Sequence, residues 1–347
     1  MKKFLIFCLC FLFLSTKSKA DGDLKLDKSI IEDYSDLSVQ LNKEMFNKIP
    51  NLVIVNEKKE SDVISALSFA YKNKSAIMLI KNDGDYVKED SPILNETIRL
   101  KAKNVYIIGG EKSVCEKVSD NLKLKGLLVT RIDGKNRFEV AKNVIKENTN
   151  LNPTDTLVIS DSSNFSYVSA KIGSYLKNGF AISFVNGKKF DDSIIKLAID
   201  RGISKVIIDQ PYSVVGKIYD DKLKENGFKV IRNDYKSVYE ANFSQNSGIN
   251  YSKIIFTDYK DTRATLLSSY VCISKNYVNV LVNEGNVDKT TNKLLSTSTK
   301  PAVYIGRSES NFTNLAKKLE LFYKIDWKRV VFTWFLQKTL KKLPFRV

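Results

Sequence analysis

The sequence predicts an α/β chain built on parallel sheets, and two observations carry that reading. Short apolar runs alternate with amphipathic helical stretches along most of the chain, a pattern that requires a parallel sheet covered by helices on both faces. The alternation then repeats with a period near one hundred residues. That is the size of a domain and too long for a solenoid unit, so the chain reads as three copies of one small α/β module.

In order, the pattern predicts a helix over 32–47 with Leu37, Leu41, Met45 and Phe46 near one face. After Pro50 come a strand over 52–55, a helix over 61–72, a strand over 76–80 and a helix over 90–100. A strand over 105–108 then meets Gly109-Gly110 and leads into a helix over 113–122 that Ser113 would cap, followed by a strand over 127–132. The second pass has helices over 136–147, 164–176, 191–200 and 213–226 and strands over 156–159, 181–185, 206–208 and 229–231. The third has helices over 235–243, 262–274, 287–296 and 311–322 and strands over 253–256, 278–282 and 302–305. Residue by residue, Val105 to Ile108 with Ser113 aligns with Lys205 to Ile208 with Ser213 and with Ala302 to Ile305 with Ser310, spacings of 100 and 97. Arg131 with Phe138-Glu139 aligns with Arg232 with Tyr239-Glu240 at a spacing of 101.

Composition narrows the function. Lys2-Lys3, an apolar core from Phe4 to Leu14 and the small-x-small site Ser18-Lys19-Ala20 read as a secretory leader over 1–20, with neither Cys8 nor Cys10 in a lipoprotein position. The apolar run is about half of the ~20 residues a membrane span needs. Lys2, Lys3, Lys17 and Lys19 leave with the leader, which lowers the net charge from +17 to +13; the last 24 residues carry +6 of this, leaving a mildly basic body. For an exported protein the polyanions within reach are wall polymers and lipid headgroups, not nucleic acid, although a solvated lysine-rich surface would have the same charge. Cys115 and Cys272 read as small buried side chains inside helices, without a disulfide framework. The chain has no histidine, which excludes Ser-His-Asp and Cys-His nucleophilic machinery and any zinc site that uses histidine. A paired-carboxylate hydrolase stays open in principle, but no such pair stands out.

Gly109-Gly110 before a helix could cradle a phosphate, yet neither G-x-G-x-x-G nor G-x-x-x-x-G-K-[ST] is present there, and the glycines read first as a chain turn. The more informative cluster follows it. Arg131, Lys135 and Arg137 lie around a strand-to-helix turn, with Lys112 at the other end of the intervening helical unit; guanidinium groups take phosphate or carboxylate bidentately. The competing assignment is structural, with arginine pairing to Asp133, Glu139 or a carbonyl and locking modules together. Arg232, Lys236 and Arg307 are the corresponding, weaker candidates at the later junctions. Binding through such positions would be distributed over modest sites multiplied by effective concentration.

These residues resemble a known family. Tyr106-Ile107-Ile108-Gly109-Gly110 with Ser113-Val114, and Arg131-Ile132-Asp133-Gly134-Lys135-Asn136-Arg137-Phe138-Glu139-Val140-Ala141, are similar to the cell wall-binding repeat 2 pattern of clostridial and related Gram-positive surface proteins: an apolar strand, Gly-Gly, then Arg-x-x-Gly-x-x-Arg-aromatic-Glu-x-Ala. Asn164-Phe165-Ser166 beside Val168-Ser169-Ala170 resembles a second signature of that family, with Tyr167 where it has Asp. Departures are Asp209-Gln210 in place of Gly-Gly, and Tyr235 and Val238 in place of the glycine and second arginine at the second junction.

The resemblance implies three Rossmann-like modules in a pseudo-threefold arrangement, with a leader over 1–20, modules over 24–131, 132–231 and 232–332, and a basic apolar tail over 333–347. It implies noncovalent anchoring to an anionic wall polysaccharide or teichoic-acid-like polymer, without catalysis, cofactor, metal or nucleic acid, at the cell surface and in company with surface-layer proteins. Relatives commonly add an effector domain, for which this length leaves no room. The alternatives are an amidase-type wall hydrolase and an exported nucleotide-binding protein. In the tail, Trp327, Val330, Val331, Trp334 and Phe335 follow helical spacing among lysines and arginines, which suits contact with a membrane surface; 329–332 read alternatively as the closing strand of the third module.

Overall fold

The computed structural model describes residues 26–82, 91–149, 154–295 and 300–320. The expected leader, the segment 329–332 and the tail 333–347 lie outside the described residues. Chain order begins with β1 (Leu26–Ile30) and α1 (Tyr34–Met45). The first sheet then forms from β2 (Asn51–Asn56), α2 (Glu60–Lys72), β3 (Ala76–Ile80), α3 (Pro92–Leu100), β4 (Asn104–Ile108), α4 (Glu116–Leu124) and β5 (Leu128–Ile132). All its pairings are parallel, in the order β3-β2-β4-β5. The inner strand β2 is buried from Leu52 to Val55, and β3 is buried throughout. That is why these strands read as unbroken apolar runs, whereas the edge strand β5 alternates, with Leu128 exposed.

The second unit repeats the first: α5 (Arg137–Thr149), β6 (Thr156–Asp161), α6 (Ser166–Lys177), β7 (Ala181–Val185), α7 (Ser193–Asp200), β8 (Lys205–Ile208), α8 (Ile218–Glu225) and β9 (Lys229–Arg232), with sheet order β7-β6-β8-β9. The third contributes α9 (Val238–Asn246), β10 (Lys253–Asp258), α10 (Thr262–Lys275), β11 (Tyr277–Val282), α11 (Lys289–Leu295), β12 (Ala302–Gly306) and α12 (Glu309–Glu320). Its fourth strand comes from the other end of the chain. β1 pairs parallel with β12, Leu26 opposite Ala302 through Ile30 opposite Gly306, in the place β5 holds beside β4. Residues 26–30, grouped by sequence with the first module, therefore belong to the third sheet. Leu26 is buried in that module's core beside Phe256 and Tyr304, and parallel pairing of such distant segments is open because the modules close into a ring.

Ring closure follows one rule. The last strand of each sheet is succeeded by a helix that packs on the next sheet: β1 by α1, β5 by α5, β9 by α9. The Asn42 side chain of α1 donates to the Ile77 carbonyl and accepts from the Ile77 N–H, and the Ser38 hydroxyl accepts from the Leu79 N–H, which covers the free edge of β3. Asn242 of α9 repeats this on β11, donating to the Asn279 carbonyl and accepting from the Leu281 N–H. At the centre, α2, α6 and α10, one from each module, share a single apolar cluster. Every residue of α2 from Ser61 to Ala70 is buried, so its amphipathic periodicity is blurred. Ser65, Ala66 and Ser268 are buried small residues of these helices, and a Cβ on Gly173 would stand 3.4 Å from Gln245 of α9 and Ile273 of α10. The Tyr270 hydroxyl crosses between modules to donate to the Ser75 carbonyl at 2.7 Å.

Two local expectations are corrected. Ser113 does not cap a helix: Ser113 and Val114 donate to the Gly110 carbonyl in a tight turn that seats Val114 in the core, and α4 begins only at Glu116. Cys115 consequently precedes the helix and is half-buried, while Cys272 is buried within α10; both are free thiols. The repeat register at the second junction also shifts by one. Arg131 donates to the Gly109 carbonyl and Arg232 to that of Gln210, and the turn accepting at Gly110 accepts at Pro211 in the second copy. Gln210-Pro211, not Asp209-Gln210, stand where Gly109-Gly110 do.

Candidate functional site

In each sheet the strand order reverses between the first and third strands of the unit, and the carboxyl ends of those strands flank a crevice where doubly wound folds receive ligands. At the first of these switch points a cavity of about 880 Å³ is lined by residues 58–62 after β2, 110–113 after β4, 133–137 and Val140 after β5, and Phe165 from the second module. Lys58, Lys59, Lys112, Lys135 and Arg137 give it a basic rim and are exposed. Glu60, Asp62, Glu111 and Asp133 also line it. Glu60 is engaged by the Thr262 hydroxyl of the third module, and Asp62 lies buried beneath the turn, where burial pushes its carboxyl above the ordinary carboxylate range. Gly109 has a positive φ of 110°, and a Cβ there would stand 3.0 Å from both Asp62 Oδ2 and Ser113 Oγ, so the turn beneath the crevice packs closely on Asp62 and favours glycine. The first turn of α2 opens into the same space, and the Lys59 side chain makes no cap bond to it.

Of the sequence-derived candidates, the structure brings Lys112, Lys135 and Arg137 together here. Arg131 lies apart from the crevice lining: its guanidinium donates to the Gly109 carbonyl at 2.9 Å, to the Val114 carbonyl at 3.0 Å and to Glu116 at 2.8 Å. This strap holds the turn that floors the site. Arg232 does the same work in the second module through the Gln210 carbonyl and Asp220, with its guanidinium 4.5 Å from the Tyr212 ring. Lys236 is exposed at the second junction, and Arg307 is exposed at the third, 5.8 Å from the Tyr34 ring.

The motif around Arg131 thus separates into parts. Asn136 Oδ1 accepts from the N–H groups of Phe138 and Glu139, and Glu139 reaches back to the Lys135 N–H, a reciprocal arrangement of the capping-box kind that starts α5. A Cβ on Gly134 would meet Glu139 and Val140 at 2.6 Å, so only glycine permits this approach. Ala141 is fully buried. Arg137, the first residue of α5, donates to the Ser162 carbonyl just after β6. Lys58 and Lys59 were not found by motif reading; their place just after the first strand of an α/β unit was the available signal.

Comparison with known proteins now adds to this geometry. Residues 32–119 match the model of the family described as Cell wall binding domain 2 (CWB2). The chain is 26% identical over 285 residues to N-acetylmuramoyl-L-alanine amidase LytC of Bacillus subtilis, covering 82% of this chain and 55% of that protein. It is 23% identical over 286 residues to the Amidase enhancer of Bacillus subtilis, covering 80% and 38% respectively. It therefore spans about half or less of the length of these relatives. Among solved structures, Cwp8 from Clostridium difficile superposes with a TM-score of 0.71 at 20% identity, over 92% of this chain and 55% of that one. Cwp6 from Clostridium difficile gives 0.69 at 18% identity, over 84% and 48%; at such identities the likeness is one of fold. The family likeness thus rests on residues 32–119, while the likeness of fold extends over most of the chain.

Proposed function

We propose that this protein holds to the Gram-positive cell wall noncovalently, as a secreted binding protein that takes an anionic wall polymer in the crevice at the first switch point. The observation that carries this is the crevice itself: five exposed basic side chains converge on one cavity lined also by the glycine turn after β4, and Lys58, Lys59 and Lys112 lie in the segment that matches the wall-binding family. Lysine and arginine contacts to a repeating phosphate or carboxylate polymer add in high dielectric, each modest and each weakened by salt. Retention by purified walls tests the proposal. Binding that falls when the anionic polymer is extracted, and that declines with ionic strength, is the expected result; equal binding to extracted walls overturns it.

The amidase-type reading comes from one relative's name, and the chain spans 55% of that protein. A chain without histidine supplies no imidazole for zinc or for general base work, and release of peptidoglycan fragments by the pure protein would establish that reading instead. Surface-layer association and the exported state belong to the same proposal.

A further inference from the structure

We infer that, among the described residues, this chain offers a polyanion one binding crevice, not three. The inference rests on the wall-polymer reading and deepens it: the threefold architecture is kept for the scaffold, and the ligand site survives in a single copy. The three switch points are directly comparable. In the first, a cavity of about 880 Å³ opens beyond the ends of β2 and β4, lined by Asp62 and Gly110, and the adjoining Gly109 has no side chain to enter it.

In the second, that glycine is replaced by Gln210, whose side chain is 2% exposed. Its Oε1 accepts from the Asp161 N–H at 2.8 Å and its Nε2 donates to the Asn164 carbonyl at 3.0 Å, so it bridges the ends of β6 and β8 across the space a ligand would enter. Asp209 beside it is 3% exposed and is held by the Tyr175 hydroxyl, the Asn233 amide and Lys171. The second crevice is filled by the protein's own carboxamide and lined by a buried carboxylate.

In the third, Gly306 keeps the glycine, but the mouth is taken. Tyr34, at the start of α1, is 3% exposed and donates to both oxygens of Asp261 at 2.8 Å. Its ring carries the guanidinium of Arg263 at 4.4 Å and that of Arg307 at 5.8 Å. At this mouth the Tyr34 ring and the Asp261 carboxylate stand beside both guanidinium groups. Asp261 also accepts from the Ala264 N–H and so caps α10, whereas the Lys59 side chain makes no such bond to the corresponding helix start in the first crevice.

One polymer chain is thus not clamped at three points by one protein molecule, and affinity gained from linked sites within the molecule is lost. The site fits a chain of phosphodiester groups, whose spaced single charges suit separate lysines rather than one bidentate fork.

Isothermal titration of the purified protein at low salt with a polyglycerol-phosphate oligomer, with dextran of equal length as control, tests this. One equivalent is expected. The exposed double variant Lys112→Ala/Lys135→Ala should bind about fivefold more weakly or worse, while Lys188→Ala/Lys189→Ala on the second module stays within about twofold. Two or three equivalents in the unaltered protein, or a Lys112→Ala/Lys135→Ala protein that binds as tightly as the unaltered one, overturn the single crevice and leave the wall-polymer reading standing. No heat with the oligomer at all overturns both readings together.

Discussion

Arg232 is the sharpest test of whether the junction arginines bind ligand or hold the fold. Its side chain is 8% exposed and that of its partner Asp220 4%, so the pair is removed from water on both sides. Nε donates to Asp220 at 3.2 Å and a terminal nitrogen to the Gln210 carbonyl at 2.9 Å. Arg232→Ala leaves a buried carboxylate without its cation, a change that costs about 3–5 kcal/mol when one member of a buried pair is deleted. Urea unfolding followed by circular dichroism should show a loss of that size. Asp220→Ala/Arg232→Ala should recover more than half of it, because no charge is then stranded. An Arg232→Ala protein of unchanged stability that has lost wall binding would refute the reasoning and return the residue to the ligand site.

Four further outcomes follow from the same contacts. Leu26→Ala, which opens a cavity where the N-terminal strand closes the third sheet, should cost about 2–5 kcal/mol in the same assay; a surface-sized effect would contradict the closure. Tyr270→Phe leaves the Ser75 carbonyl without its donor between modules and should cost about 1–3 kcal/mol, read as a lower melting temperature. For Asp62 the sign is set by burial: the folded carboxyl holds its proton more tightly than the unfolded one, so its contribution is best at low pH and is lost as pH rises through its raised value. Asp62→Asn should accordingly raise the melting temperature at pH 7 relative to the unaltered protein and flatten its decline from acid to neutral pH, and a lower melting temperature at pH 7 would argue against this sign. Gly134→Ala should destabilise, because its Cβ would sit 2.6 Å from the backbone nitrogen of Val140; calorimetry showing no change would remove the close-approach argument.

Much of the fold was legible because its signals are local. Buried parallel strands such as Leu52 to Val55 announce themselves as apolar runs, and the hundred-residue recurrence declared three modules before any contact was known. The first strand was not legible: Leu26–Ile30 reads Leu-Asp-Lys-Ser-Ile, with two apolar residues, and its partner lies some 275 residues away at Ala302. The site was legible in half. Charge at Lys112, Lys135 and Arg137 could be read from the motif, but so could charge at Arg131, and nothing local distinguishes an arginine that faces solvent from one turned onto the carbonyls of a neighbouring strand.

By itself the sequence determined the α/β class, the threefold repetition and the absence of imidazole chemistry, since periodicity and composition are properties of the chain. Only the tertiary structure decided which end closes the ring, which basic residues share a cavity, and that Gln210 buries its carboxamide where the first module has Gly109. The physical reason is the same in each case. These outcomes depend on what lies across a sheet or between modules, and a side chain's partner there is chosen by packing over hundreds of residues of separation, where sequence carries no periodic signal.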